Sequence, residues 1–153
     1  AYSASGPDGF LEYFDYDKLG VVLSAIGANC GITWLANGKW SCIKNTILFF
    51  SKCKSCSTEY IYMATKNKNT FPKRGAAQPF ISQKDCKNLK ILVPNESLMK
   101  NFSYLINTFY TEINLFQKKN NNLRQTRDLL LPKLISGKID VSHLDIDTSI
   151  LND

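Results

Sequence analysis

Short apolar runs separated by turn signals fill the first 94 residues. Val21 to Ser24 form a compact apolar run with glycines nearby on both sides, which predicts a buried strand. Residues 32–35 and 39–43 flank Asn37-Gly38, a dipeptide that accepts the positive φ angles of a tight type I′ turn, so this stretch predicts a β-hairpin. Further strands are predicted at residues 46–50 and 89–94, and short helical segments at residues 59–66 and at Ser82 to Asp85.

The pattern changes after Pro94. Asn95 is suited to cap a helix, and Glu96 places a negative charge in the first turn, where it favours the helix dipole. No glycine or proline interrupts residues 95–131, so we predict one helix of roughly 55 Å. Its stripe recurs every three or four residues and is apolar except at two positions: Leu98, Phe102, Leu105, Phe109, Ile113, Phe116, Asn120, Leu123, Arg127, Leu130 and Leu134.

This stripe has the spacing of a coiled-coil seam, and we refer to its residues as the seam. Because a small domain cannot cover so long a stripe, we expect a partner helix, either from a second copy of the chain or from elsewhere in a larger protein. Asn120 and Arg127 would then set the register and orientation of the pair. The alternative is that the helix packs along its own domain.

Pro132 marks the predicted end of the helix. Proline lacks the amide hydrogen that would bond to the carbonyl of Asp128, and it disfavours the α conformation at Leu131. We therefore predict a kink or break near Leu131, with Gly137 closing the final turn. Arg127 and Asp128 are expected to bridge to the partner helix or to a docked subunit.

Positive charge is concentrated in the middle of the chain. Residues 39–90 carry 11 basic and 2 acidic side chains, residues 1–38 carry 1 and 4, and residues 95–153 carry 7 of each. Aromatic and amide side chains are interleaved with the basic ones, a mixture that nucleic-acid surfaces use. The polar, proline- and glycine-punctuated residues 67–79 predict a loop suited to recognition. A polyanion is the expected partner, unless lysine is here only a common surface residue of an asparagine- and lysine-rich composition.

The sequence contains few groups that suggest chemistry. Five cysteines, an odd number, favour reduced thiols and a cytoplasmic location. Cys53 and Cys56 have the spacing of half a zinc site, but no second such pair exists and the lone His143 lies far along the chain, so no metal is expected. The sequence has no glycine-rich cofactor loop, no Walker motif and no Asn-Pro-Pro-aromatic motif, so no catalytic residue is predicted.

Three passages resemble parts of one known family. Tyr2 to Leu11 is similar to a tyrosine and glycine stretch near the front of that family's recognition domain, and Gly75 to Ser82 with Leu89 to Pro94 is similar to its last loop, strand and exit proline. Asn122 to Ile139, with an Arg-Asp pair, Leu-Pro-Lys-Leu and Ser-Gly, resembles its distal conserved helical region. The family is the DNA-sequence specificity subunit of type I restriction-modification systems, and the resemblance is to its C-terminal half.

The resemblance implies a function without catalysis in this chain. In that family each target recognition domain reads one half of a bipartite site in double-stranded DNA, and the long helices separate two such domains. The helices also dock methyltransferase (modification) subunits, which bring S-adenosylmethionine, and the restriction subunit, which hydrolyses ATP. S-adenosylmethionine, ATP and Mg²⁺ are thus expected in partner subunits, within a bacterial or archaeal cytoplasm.

Two other interpretations of the function stay open. One is a helical assembly module from a truncated open reading frame without independent DNA binding, and the other is the recognition end of a fused modification-restriction enzyme. A full specificity subunit has two recognition domains and two helices, whereas this chain has one of each and is expected to lack the front segment of its recognition domain. Two copies paired as a homodimer through their helices would read a palindromic split site.

The predicted fold class is α+β: a small mixed α/β target recognition domain with a twisted sheet, followed by one long coiled-coil-forming helix. The recognition domain is predicted at residues 1–94, the spacer and docking helix at 95–137, and a tail at 138–153. Lysines are expected to hold phosphates, whereas Arg74 and Gln78 have the chemistry for bidentate base contacts. The predicted DNA contacts are Ser3, Ser5, Asn37, Lys39, Trp40, Lys66, Lys68, Lys73, Arg74 and Gln78.

Overall fold

The computed structural model describes residues 1–53 and 55–144, which fall into two compact units. Unit 1 is Ala1–Asn107 and unit 2 is Thr108–Asp153. The predicted α+β class is confirmed, because small antiparallel sheets precede one long helix. The elements are β1 Tyr2–Ser3, β2 Gly6–Pro7, β3 Tyr16–Asp17, β4 Gly20–Ser24, β5 Thr33–Ala36, β6 Lys39–Trp40, β7 Thr46–Phe49, α1 Thr58–Thr65, α2 Gln83–Lys87 and α3 Glu96–Ile135.

Strand β4 is the centre of unit 1. It pairs antiparallel with β5 on one side and with β7 on the other, and every residue of it is buried, as the apolar run predicts. Successive side chains of a strand point to opposite faces of the sheet. Leu23 therefore packs with Phe71 and Ile81 in one cluster, while Val22 packs with Trp40 in another. The core of unit 1 is built around this one strand.

The predicted hairpin around Asn37-Gly38 is wrong in its pairing. The type I′ turn does not form either, because Gly38 has a positive φ of +71° but Asn37 does not; the Gly38 N–H donates to Asn37 Oδ1 at 2.8 Å. Strand β5 pairs with β4, whereas β6 pairs with β3. The reason is the indole of Trp40, which is 4% exposed and lies 4.7 Å from the Tyr16 ring, centroid to centroid. Burial of this large aromatic group with β3 outweighs the local hairpin signal.

The last strand predicted in unit 1, at residues 89–94, is also wrong, since no strand forms there. Two of its backbone groups have partners outside any strand pairing. The Leu89 N–H donates to the Cys86 carbonyl at 3.3 Å, and the Tyr60 hydroxyl donates to the Leu92 carbonyl at 2.6 Å.

The predicted helical segments of unit 1 and the strand at residues 46–50 are confirmed. Helix α1 is capped by the Ser57 hydroxyl, which accepts from the Tyr60 N–H at 3.2 Å. Helix α2 has a capping box in which Ser82 and Asp85 each accept a backbone N–H from the other. These are short-range signals, so the sequence alone was sufficient to place both helices.

Helix α3 begins where the cap predicts and continues through the position at which a break is predicted. The Leu98 N–H donates to Asn95 Oδ1 at 2.9 Å, which confirms the cap. Its 40 residues correspond to about 60 Å of helix and include Pro132, so the predicted break near Leu131 is wrong; a kink there stays a prediction. Proline removes one amide donor, and this close to the helix end the loss is local. Gly137, at φ +68°, donates its N–H to the Leu134 carbonyl at 3.1 Å and closes the final turn as predicted.

The seam is largely exposed along its length. Within unit 1, Leu98 is 58% and Leu105 is 55% exposed, whereas the Phe102 ring lies 5.5 Å from that of Tyr60, centroid to centroid, and Met99 beside the seam is 4% exposed. Within unit 2, the apolar seam residues are between 42% and 66% exposed: Phe109, Ile113, Phe116, Leu123, Leu130 and Leu134. Among the described residues, no helix is both long enough and apolar enough to span a membrane.

Candidate nucleic-acid interface

Three segments of unit 1 meet at the carboxyl end of β4. The Ser24 hydroxyl donates to the Ala4 carbonyl at 2.9 Å, which holds the β1–β2 turn there. The Ala25 N–H donates to the Asn45 carbonyl at 2.9 Å, and the Ala25 carbonyl accepts the Ile81 N–H at 2.8 Å. The β1–β2 turn, the start of β7 and the segment that follows residues 67–79 are thus fixed to one end of the sheet.

Residues 67–79, hereafter the basic loop, lie against the segment that follows β4. Lys68 Nζ donates to the Ala28 carbonyl at 2.7 Å. Gly31 has φ +94°, and a Cβ built on it would lie 2.2 Å from the Lys68 carbonyl oxygen, so only glycine allows this contact. Lys73 Nζ donates to Asn69 Oδ1 at 3.1 Å. The loop therefore holds two exposed ammonium groups in defined places.

Arg74 is the most tightly held cation of the basic loop. Its backbone makes two hydrogen bonds with Phe80, at 2.9 and 2.8 Å. Its Nε and Nη2 donate to the two carboxylate oxygens of Asp85, at 3.1 and 2.7 Å. The Asp85 side chain is 6% exposed and that of Arg74 is 60% exposed. The Arg74 hydrogen bonds, followed by those from Ser82, hold the pKa of Asp85 well below its usual range.

Most of the predicted DNA contacts lie at this end of the sheet. Lys66 follows α1, whose last residue, Thr65, accepts the Thr33 hydroxyl at 3.2 Å beside the end of β4. The predicted residues brought together here are Ser3, Ser5, Lys66, Lys68, Lys73, Arg74 and Gln78. We call this group, with the backbone that carries it, the basic end of unit 1.

Asn37 and Lys39 lie at the opposite end. They follow Ala36, which pairs with Gly20 at the start of β4, so about 13 Å of strand separates them from the basic end. Lys39 Nζ lies 4.9 Å from the centroid of the Phe14 ring. The structure therefore does not join these two predicted contacts to the others.

Trp40 is wrong as a predicted DNA contact, because its side chain belongs to the core. Its indole Nε1 donates to the Lys18 carbonyl at 2.7 Å, and its ring packs against those of Tyr2, Tyr16 and Phe50. The aromatic residues in the preceding segment, Tyr16 among them, were the available signal for this burial. A tryptophan next to a turn is ambiguous between core and surface until its partners are known.

Sequence reasoning missed three residues that lie beside the basic end or contact it. Lys44 is exposed beside it, and Asn45 is the one described non-glycine residue with positive φ, at +56°. Asp85 was predicted only as a helix-start residue. Its contact with Arg74 spans 11 positions of sequence, which no local pattern encodes.

The basic end offers cations and amides but no metal site. Among the described residues, no group of three or more histidine, cysteine or acidic side chains could hold a metal ion. All five cysteines have free thiols. Burial raises the pKa of the Cys86 thiol to about 11, so this thiol is protonated at neutral pH. The arrangement is suited to binding an anion, and its exposed groups are hydrogen-bond donors for phosphates and base edges.

Comparison with known proteins agrees with this geometry. Residues 8–125 match the family model of the type I restriction modification DNA specificity domain. A stretch of 71 residues, 46% of the chain, is 31% identical to the Type I restriction enzyme MjaIX specificity subunit of Methanocaldococcus jannaschii and covers 16% of that subunit's length. No solved structure matches the chain. Because the family model covers more than half of the chain, this protein belongs to the type I restriction modification DNA specificity domain family.

Proposed function

We propose that unit 1 reads one half of a bipartite site in double-stranded DNA and that its basic end is the reading surface. The observation that carries this proposal is the convergence of the β1–β2 turn and the basic loop at the carboxyl end of β4, with their exposed donors on a rigid base. Membership of a DNA specificity family supports the choice of DNA over other polyanions.

The side chains of the basic end would make two kinds of contact with DNA, one to the sugar-phosphate backbone and one to base edges. Lys66, Lys68 and Lys73 carry compact charges that suit phosphate oxygens. Arg74 and Gln78 carry paired donor or donor–acceptor groups that suit base edges in the major groove. Ser3 and Ser5, in the β1–β2 turn, would add hydroxyl contacts to the backbone of the duplex.

Helix α3 would provide the attachment to other subunits. Its seam in unit 2 exposes large apolar side chains at coiled-coil spacing, which supports pairing with a second helix of the same kind. In the complete complex we propose that this helix docks the methyltransferase and restriction subunits. Those subunits would hold S-adenosylmethionine, ATP and Mg²⁺, and this chain would contribute no catalytic residue.

Salt dependence tests the DNA-binding surface. We expect the affinity of the full chain for a mixed-sequence duplex, measured by fluorescence anisotropy, to fall steeply between about 50 and 200 mM salt. Lys66→Gln and Lys73→Gln should each lower the slope of log affinity against log salt by about 0.9, because each removes one phosphate contact.

Lys118→Gln, which removes the same charge from α3 in unit 2, is the matched control and should leave the slope unchanged. An affinity that stays flat with salt, or an equal effect of all three substitutions, would contradict the proposal.

A further inference from the structure

The carboxylate of Asp85 is fixed on all sides. Its Oδ2 accepts from the Ser82 N–H at 3.1 Å and from the Ser82 hydroxyl at 2.6 Å, in addition to Arg74 Nε. Its own backbone N–H donates back to Ser82 Oγ at 3.2 Å. A carboxylate with this many hydrogen bonds and so little exposure has one available position, so it forms a rigid support for the guanidinium.

Arg74 is fixed at its backbone as well as at its guanidinium. The two hydrogen bonds to Phe80 hold the main chain. Gly75 follows at φ +80°, where a Cβ would lie 2.7 Å from the Gln78 carbonyl oxygen, so the turn after Arg74 is tight. Both ends of the arginine side chain are therefore set before any ligand arrives, and little rotamer freedom remains to be lost on binding.

The other edge of the guanidinium is open. Asp85 takes Nε and one N–H of Nη2, and Nη1 makes no hydrogen bond to any residue that the structure describes. Two parallel donors, one on Nη1 and one on Nη2, are thus left on an exposed side chain. Two such donors in one plane match the O6 and N7 acceptors that guanine presents in the major groove.

Charge favours a base over a phosphate as the ligand of Arg74. The adjacent carboxylate offsets the guanidinium charge, which reduces the attraction to a phosphate that depends on net charge. Hydrogen bonds to neutral base acceptors depend instead on donor geometry, which the carboxylate fixes. The neighbouring lysines have no such carboxylate partner in the described residues and remain full charges for phosphates.

We infer that Arg74 reads a guanine in the major groove and that Asp85, supported by Ser82, is its positioning residue. This inference rests on the proposed DNA-reading function. It adds the base class and a residue that touches no DNA itself. Asp85 acts only through the orientation of Arg74.

Selection from a randomised duplex library, followed by affinity measurements on the selected duplex and its single-base variants, tests the inference. The full chain should prefer guanine at one position by roughly 5- to 150-fold. Arg74→Gln should remove that preference. Asp85→Asn should also reduce it, while affinity for unrelated duplexes stays level or rises because a negative charge has been removed.

Glu96→Gln is the matched control. Glu96 Oε1 lies 2.8 Å from Lys100 Nζ on the exposed surface of α3 and off the seam, so this change removes the same charge from a second ion pair. It should leave the guanine preference unchanged. Thermal melting of each variant, followed by tryptophan fluorescence, reports whether unit 1 stays folded.

The possible outcomes separate the two proposals. Uniform weakening on all duplexes by Arg74→Gln and Asp85→Asn would make the pair a purely structural link, which overturns this inference and leaves the proposed function intact. If Asp85→Asn unfolds unit 1, Arg74→Gln decides alone, since a surviving guanine preference overturns the inference. A wild-type chain that selects no sequence overturns the proposed function and the inference together.

Discussion

The apolar side chains of β4 in unit 1 and of the seam in unit 2 lie in opposite environments. In unit 1, Val21, Val22 and Leu23 lie side by side in β4 with no exposed surface. In unit 2, Phe116 is 58% and Leu123 is 66% exposed, although both have the spacing of a packed seam. Unit 1 is stabilised by contacts within itself, whereas the apolar surface of unit 2 remains available for contacts with another molecule.

Element type explains the difference. A central strand has neighbours on both edges and a layer on each face, so a run of a few apolar residues is buried completely. Among the residues described in unit 2, no second helix or strand covers the stripe of α3, and most helix stability in proteins comes from packing of that stripe. Unit 1 is therefore stabilised by its own packing, whereas the seam of α3 would be covered only by the partner helix proposed above.

Disruption of the seam should have the largest effect. We expect the chain to dimerise at micromolar concentration and Phe116→Asp to make it monomeric, because two buried phenylalanine side chains contribute about 3–6 kcal/mol to such a pair. Leu115→Asp changes a residue of similar exposure, 50%, that lies off the seam, and should have little effect. Sedimentation velocity measures both. A monomeric wild-type chain, or equal effects of the two substitutions, would contradict the claim that the exposed seam pairs with a second copy.

A leucine-to-alanine substitution, made once in each unit, should give the next largest effect. Leu23→Ala should lower the free energy of unfolding of unit 1 by about 2–5 kcal/mol, since it leaves a cavity beside β4. Leu123→Ala should change it by less than about 0.5 kcal/mol at concentrations too low for dimerisation. The two tryptophans, Trp34 and Trp40, both lie in unit 1, so urea unfolding followed by their fluorescence reports that unit. Similar losses from both changes would show that the two leucines are equally packed.

The smallest effect should be the change with pH in the stability that the Asp85 ion pair gives to unit 1. The pKa of Asp85 is lower in the folded chain than the value of about 3.9 expected after unfolding, so its ion pair stabilises unit 1 above that pH. This stabilisation should be lost as pH falls through the folded-state pKa. The gap in melting temperature between wild type and Asp85→Asn should thus be full above about pH 5 and should shrink below about pH 4. A gap that stays constant down to pH 3 would show that charge is not its cause.

The parts of the fold that rest on adjacent residues were predictable. The burial of β4, the cap of α1, the capping box of α2 and the start of α3 at Asn95 all come from signals within a few positions. The seam spacing likewise predicted one long helix, because it repeats within a single element.

The predictions that were wrong or incomplete concern structure that residues close in sequence do not determine. Asn37-Gly38 predicted a hairpin between β5 and β6, but β6 pairs with β3, where the Trp40 ring packs against Tyr16. At the other helix end, Pro132 signals a missing donor but not whether the remaining turn holds. The DNA contacts other than Trp40 stay predictions, and the link from Arg74 to Asp85 was visible only in three dimensions.

If the basic loop reads DNA as proposed, the glycine beneath it has a consequence for how new specificities arise. Gly31 contacts the backbone of Lys68, and Arg74 is bonded to Phe80 through main-chain atoms, so the path of the loop is set by its backbone and by the buried Phe71 between these anchors. Exposed residues between these two anchors are free to change without rebuilding the sheet. Related chains that keep both anchors should accept one another's loops, and drift at a handful of surface positions would then be enough to give a host a new recognition sequence.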